Sequence, residues 1–199
     1  MPIASTNFSV VMLLSEIDLN CKLIARAALG LREAATHWIA LDKGIDDGKT
    51  FPPIDIISRC SVCLGSAAAI SRLLLLGDRK GKKAVRIGKR CEILMRLLDQ
   101  PPLPVISSFS VRNSWEHLDE RLDDLLESRA SSSYSEVHVA VKPLDTSTFV
   151  LRRFDPTSFA IKYGSDSLSL SSLVAEASDL SSRIAGAFKA LHASEVHVY

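Results

Sequence analysis

Two proline clusters constrain this chain more than any other feature. Pro52-Pro53 and Pro101-Pro102-Leu103-Pro104 withdraw backbone donors and push the residue before each ring out of helical geometry. The first two-thirds is thereby cut into segments that each have to end and restart. Within each segment the apolar residues recur at helical spacing. From about Phe8 to Leu41 the positions Val10, Leu13, Leu14, Ile17, Ile24, Leu31, Ala35 and Trp38 keep that period, and Gly44 with Gly48 ends it. This predicts one long helix, or two joined at Gly30. Ile54 to Leu76 reads as a second helix, largely buried by its Ala and Leu content, and a third runs to about Leu98. After the second proline cluster, Val111, Trp115, Leu118, Leu122 and Leu125 alternate steps of four and three. They form the core-facing stripe of a fourth helix, with Ser107, Ser108 or Ser110 available to cap it.

The remaining third changes period. Ser131-Ser132-Ser133 marks a linker, after which Val137, Val139 and Val141 alternate with His138 and Lys142 as in a strand. Thr148-Phe149-Val150-Leu151 and Ser158-Phe159-Ala160-Ile161 flank a turn at Asp155-Pro156 and predict a hairpin. A last helix is expected from about Ser171 to Leu191. Ser-Glu-Val-His-Val occurs twice, at 135–139 and 194–198, so a short C-terminal strand is expected. If the copies pair, Glu136, His138, Glu195 and His197 share a face that could hold a metal, but a solvated sheet face is the preferred reading and no metal is assigned. The expected fold is mainly α: an antiparallel helical bundle over residues 1–130, with a β-hairpin and C-terminal helix over 131–199 packed on it.

A chain of 199 residues with 47% hydrophobic and 24% charged residues and a formal net charge of +1 is an ordinary globular composition, which identifies no partner by bulk electrostatics. The run Val10 to Leu14 is broken by Glu16 and Asp18 and has no basic residue before it, so neither a signal peptide nor a membrane span is expected. Ile70 to Leu76 is too short to span and carries Arg72. A cytoplasmic protein without membrane contact is expected. Cys21, Cys60, Cys63 and Cys91 sit in apolar helical contexts, which suits reduced, buried thiols. Cys60-Ser61-Val62-Cys63 lacks the second ligand pair that a zinc site needs.

The fourth helix carries the chemistry. On a wheel of about 100° per residue, His117 falls opposite the apolar stripe, one turn beyond Asn113. Arg112 and His117 diverge by about 140°, so one helix cannot easily close both on one small ligand, and a second copy of the chain could complete the site. Arg112-Asn113-Ser114-Trp115-Glu116-His117, opening an amphipathic helix in a helical chain, resembles the Arg-Asn-x3-His signature of HEPN domains. In that family the Arg, the polar residue after it and the His of two subunits line a cleft at a homodimer interface. The resemblance implies metal-independent RNA cleavage with no cofactor. His117 is then the expected general acid/base, since an imidazole with an unperturbed pKa of about 6.5 exchanges protons near neutrality. Arg112 would hold the scissile phosphate, Asn113 would orient the imidazole, and a positive helix N-terminus would favour the phosphate. One toxin branch of that family has a tyrosine two positions after the His. This chain has Asp119, so that residue and its regulation are not carried over. Arg32 and His37 repeat the Arg/His spacing without the Asn and are expected to be structural.

The stretch from Gly77 to Arg90 holds seven positive residues, Arg79, Lys80, Lys82, Lys83, Arg86, Lys89 and Arg90, against the single acid Asp78. It lacks the spacing and the Ser or Thr of a nucleotide-binding P-loop. These cations are candidates to neutralise an RNA backbone, the alternative being a solvated turn facing the acids of the fourth helix. The sequence thus predicts a HEPN-like endoribonuclease acting as a homodimer in a toxin or defence setting, with RNA as substrate and a neutralising protein as a further expected partner. The alternative is a non-catalytic helical module that binds RNA, a nucleotide or a protein.

Overall fold

A computed structural model describes residues 3–77, 80–108, 110–116, 123, 133–139, 141, 148–164 and 166–196. The described residues form five helices and one four-stranded sheet: α1 (Ile3–Asp42), α2 (Pro53–Leu74), α3 (Gly81–Leu97), α4 (Ser110–Glu116), β1 (Ser133–Val139), β2 (Thr148–Asp155), β3 (Ala160–Tyr163), β4 (Asp166–Ser169) and α5 (Leu170–Val196). The protein is mainly helical with a small mixed sheet.

α1 does not break at Gly30. It runs for 40 residues, about 60 Å at 1.5 Å per residue, because the missing side chain at Gly30 is used to seat a neighbour rather than to bend the chain. A Cβ at Gly30 would collide with the guanidinium of Arg59 on α2. Leu14, Ile17, Ile24 and Leu31 form the fully buried stripe of α1. The helix closes in a Schellman motif: Gly44 adopts φ +77° and donates to the Leu41 carbonyl, while Ile45 donates to Ala40.

α2 and α5 run antiparallel to α1. On one side Arg59 lies at the level of Gly30 and Cys63 at that of Ile24. On the other, Phe159, whose carbonyl accepts from Leu170 at the start of α5, meets Arg32, and Ser181 further along α5 donates to Asp18 at 2.5 Å. Pro53 occupies the first turn of α2, where its missing N–H leaves no gap. Among the described residues α2 is the helix long and apolar enough to cross a membrane. Eleven of its residues are buried inside the protein, so its apolarity is also what a central core helix requires.

The sheet has the order β1-β2-β3-β4. β2 and β3 form the expected hairpin, with Phe154 opposite Ile161. Asp155 organises the turn, accepting from the backbone of Thr157 at 3.0 Å and Ser158 at 3.2 Å and from Lys162 Nζ at 2.7 Å. Two features depart from the hairpin expectation. β4 adds a fourth strand, and β1 pairs parallel to β2, from Ser133 opposite Thr148 to Val139 opposite Phe154. Phe154, Ile161 and Leu168 of the sheet share one core cluster with Leu14 of α1 and Leu180 of α5.

Over Ser194–Val196 the expected C-terminal strand is not formed; His197 and Val198 lie outside the described residues. α5 continues through Val196, so Ser194, Glu195 and Val196 of the second Ser-Glu-Val-His-Val copy are helical while the first copy lies in β1. The Ala-rich turns before it propagate the helix, and a five-residue β preference without a strand to pair with does not overcome that cooperativity. The described residues of the second copy therefore do not pair with β1, and Glu195 does not join Glu136 and His138 on a sheet face. Among the described residues no group of three or more His, Cys, Asp or Glu is placed to hold a metal ion.

Candidate functional site

The described part of α4, Ser110–Glu116, is held by its apolar side. Val111 is 2% and Trp115 5% exposed, one turn apart, and both enter the core as their spacing predicts. The indole N–H of Trp115 donates to the Ser61 hydroxyl on α2 at 3.1 Å, and the Arg152 guanidinium from β2 lies 5.4 Å from the ring centroid. Asn113, between the two anchors, is exposed. The backbone of Arg112 lies in the first turn of α4, but its side chain and all of His117 lie outside the described residues, as does most of the expected helix beyond Glu116. Among the proposed caps, Ser107 does not serve α4, because its hydroxyl turns back to the Pro104 carbonyl at 3.3 Å.

The approach to α4 is fixed from a distance. The Glu176 carboxylate on α5 accepts from the backbone of Val105 at 2.8 Å and Ile106 at 2.9 Å. Arg183, two turns along α5, donates to the carbonyls of Leu98 and Asp99, each at 3.1 Å. α5 thus grips both ends of the proline-rich connector between α3 and α4. Neither residue stood out in the sequence, since each acts across 70 or more positions.

The basic residues lie elsewhere. Arg79 is outside the described residues. Lys80, Lys82, Lys83, Arg86 and Lys89 are exposed on the start and outer face of α3. Arg90 is half-buried and donates to the Arg72 carbonyl at 2.8 Å, so part of its guanidinium is committed to α2. α3 meets α2 at Arg72 and Leu73, whereas α4 meets it at Ser61. These points lie eleven to twelve positions apart on the helix, about 17–18 Å along the axis of α2. The basic face and Asn113 therefore do not form one compact cluster within a single chain.

The second Arg/His pair has structural partners. The guanidinium of Arg32 stacks 4.5 Å from the Phe159 centroid, while His37 is 5% exposed and its Nδ1 lies 2.5 Å from Asp47 Oδ1. The hydrogen bond to His37 is the main cause that holds the Asp47 carboxyl below its ordinary value. Trp38 and Phe51 pack around the imidazole. The cysteines are core residues: burial pushes the Cys63 thiol up to about 12 and raises Cys60 well above its usual value. Thiols so buried and protonated are weak nucleophiles near neutrality.

Compared with protein-family models, with curated proteins and with solved structures, the chain has no match.

Proposed function

We propose that the chain is a HEPN-like, metal-independent endoribonuclease that works as a cytoplasmic homodimer. The seating of α4 carries this proposal. With Val111 and Trp115 in the core, Asn113 faces solvent, and Arg112 is its neighbour in the sequence motif. A polar edge on a rigidly anchored helix is what a composite site between two subunits requires. Arg112 of one subunit would stabilise the phosphate charge and His117 of the other would move the proton of the ribose 2′-hydroxyl, with Asn113 orienting the imidazole. The exposed cations of α3 would bind the flanking backbone, about 18 Å away along α2 and hence several nucleotides from the cut. Such an enzyme suits a toxin or defence role under a neutralising protein partner.

The test is incubation of wild type and His117→Ala with mixed cellular RNA in EDTA. Wild-type fragments ending in 2′,3′-cyclic phosphate and their loss in the variant are expected. Undiminished cleavage by the variant would sink the mechanism. A second reading, RNA binding without turnover, is favoured by the exposed Lys80, Lys82, Lys83, Arg86 and Lys89 and by their distance from α4. Salt-sensitive binding by a folded dimer that cleaves nothing would select it.

A further inference from the structure

A cleft between α1 and α3 shares Arg86 and Lys89 with the basic face, but its apolar walls play no part in the proposed cleavage. Here α1 and α3 enclose about 270 Å³. The walls are apolar, formed by Val10 and Leu13 of α1 and by Ile93 and Leu94 of α3. Leu94 is fully buried at the base, whereas Ile93 is 46% exposed at the mouth. Arg86, Lys89 and Arg90 line it almost entirely through their aliphatic stems, and no acid contributes to the lining.

Two of those charges, on Arg86 and Lys89, have no ion-pair partner among the described residues, and Glu92 on the same helix is engaged by Arg96 at 2.8 Å. Arg86 stands three positions from Lys89 and four from Arg90, spacings at which like charges on a helix repel. Arg90 is fixed by the Arg72 carbonyl, and its Nε is buried without a hydrogen-bond partner. An anion among the three would relieve the repulsion, and an apolar body attached to it would cover the walls.

We propose that this cleft binds one anionic amphiphile, a single alkyl chain ending in a carboxylate. The chain would lie between α1 and α3, against Val10, Leu13, Ile93 and Leu94, with its headgroup among Arg86, Lys89 and Arg90. The volume falls just under the roughly 300–1,000 Å³ of drug-sized pockets, which suits one chain rather than a two-chain lipid or a peptide helix. A nucleobase fits poorly. No aromatic ring lines the cleft for stacking, and Ser9 is the one uncharged polar side chain in the lining. This assignment goes beyond the nuclease proposal and stands if that proposal fails.

The experiment is calorimetric titration of the full chain with dodecanoate below its micelle-forming concentration, beside dodecanol and dodecyltrimethylammonium. Saturable one-to-one binding of dodecanoate is expected, with both comparison ligands weaker by about tenfold or more. The exposed pair Arg86→Glu/Lys89→Glu should weaken dodecanoate by a similar factor while circular dichroism and the thermal midpoint stay unchanged. Leu13→Trp should fill the cleft and abolish binding; because it touches the core, the rim variant carries the test if Leu13→Trp fails to fold. Absence of saturable binding, dodecanol binding as tightly as dodecanoate, or wild-type affinity in the folded rim variant would each overturn the assignment.

Discussion

Trp115 is the larger of the two side chains that seat α4, and the strength of its anchorage can be measured. Trp115 is 5% exposed and bonds Ser61 at 3.1 Å, so Trp115→Ala removes a large ring from the core and should cost about 3–5 kcal/mol. The more informative perturbation is a double-mutant cycle of Trp115→Phe with Ser61→Ala. Trp115→Phe keeps an aromatic face for Arg152 but loses ring volume and the N–H donor, for about 1–3 kcal/mol. Ser61→Ala leaves the indole N–H without its acceptor. Ser61 itself is exposed, so water replaces part of that bond, and the coupling should be about 0.5–1.5 kcal/mol. Urea unfolding followed by the fluorescence of Trp38, retained in all four proteins, gives the four free energies. Additivity within about 0.3 kcal/mol would show that the bond does not anchor α4.

Other elements give equally direct tests. Asp99 ends α3 at φ +54°, in a Schellman motif where glycine is preferred, so Asp99→Gly should raise stability in urea by about 0.5–1 kcal/mol. Glu176→Ala strips the acceptor from two backbone amides and should lower stability by about 2 kcal/mol, read by the same unfolding assay. Burial alone would raise the Asp155 carboxyl, but the hydrogen bonds from Lys162 and Ser158 outweigh it and hold the group below 3.8. A folded-state value below the unfolded one stabilises above the unfolded value, and that stabilisation is lost as pH falls through the folded value. The deficit of Asp155→Asn against wild type should therefore be full at pH 6 to 7 and shrink below about pH 4, and a deficit that grows on acidification would refute it.

The helices were legible in the sequence because proline position and apolar period act locally. Pro53 starts α2, Gly44 stops α1, and Val111 and Trp115 turn inward while Asn113 does not. The hairpin at Asp155 was legible for the same reason, since an Asp side chain caps its own turn. What escaped depends on distant partners. Whether β1 runs parallel or antiparallel to β2 is set by how the chain returns, which alternation of Val137 and Val139 does not encode. β4 is four residues, Asp-Ser-Leu-Ser, with a single apolar side chain to announce it. The repeated Ser-Glu-Val-His-Val takes two conformations because one copy has a strand beside it and the other continues a helix. The sequence left open one helix or two joined at Gly30, and the contact that Gly30 makes with Arg59 lies outside what local spacing encodes. For the candidate site, spacing foretold which side of α4 faces out, but not that the cations of α3 stand along α2 from it or that Arg90 is partly occupied by the Arg72 carbonyl.

The central claim is that two subunits complete one catalytic site, and complementation tests it most directly. Arg112→Ala and His117→Ala are purified separately, shown to be folded and inactive, then mixed under conditions that exchange subunits. In a mixed dimer, the Arg112 of one chain faces the His117 of the other at one of the two sites, so RNA cleavage should return to about a quarter of the wild-type level. Subunit exchange without recovery of cleavage would contradict a site shared between chains.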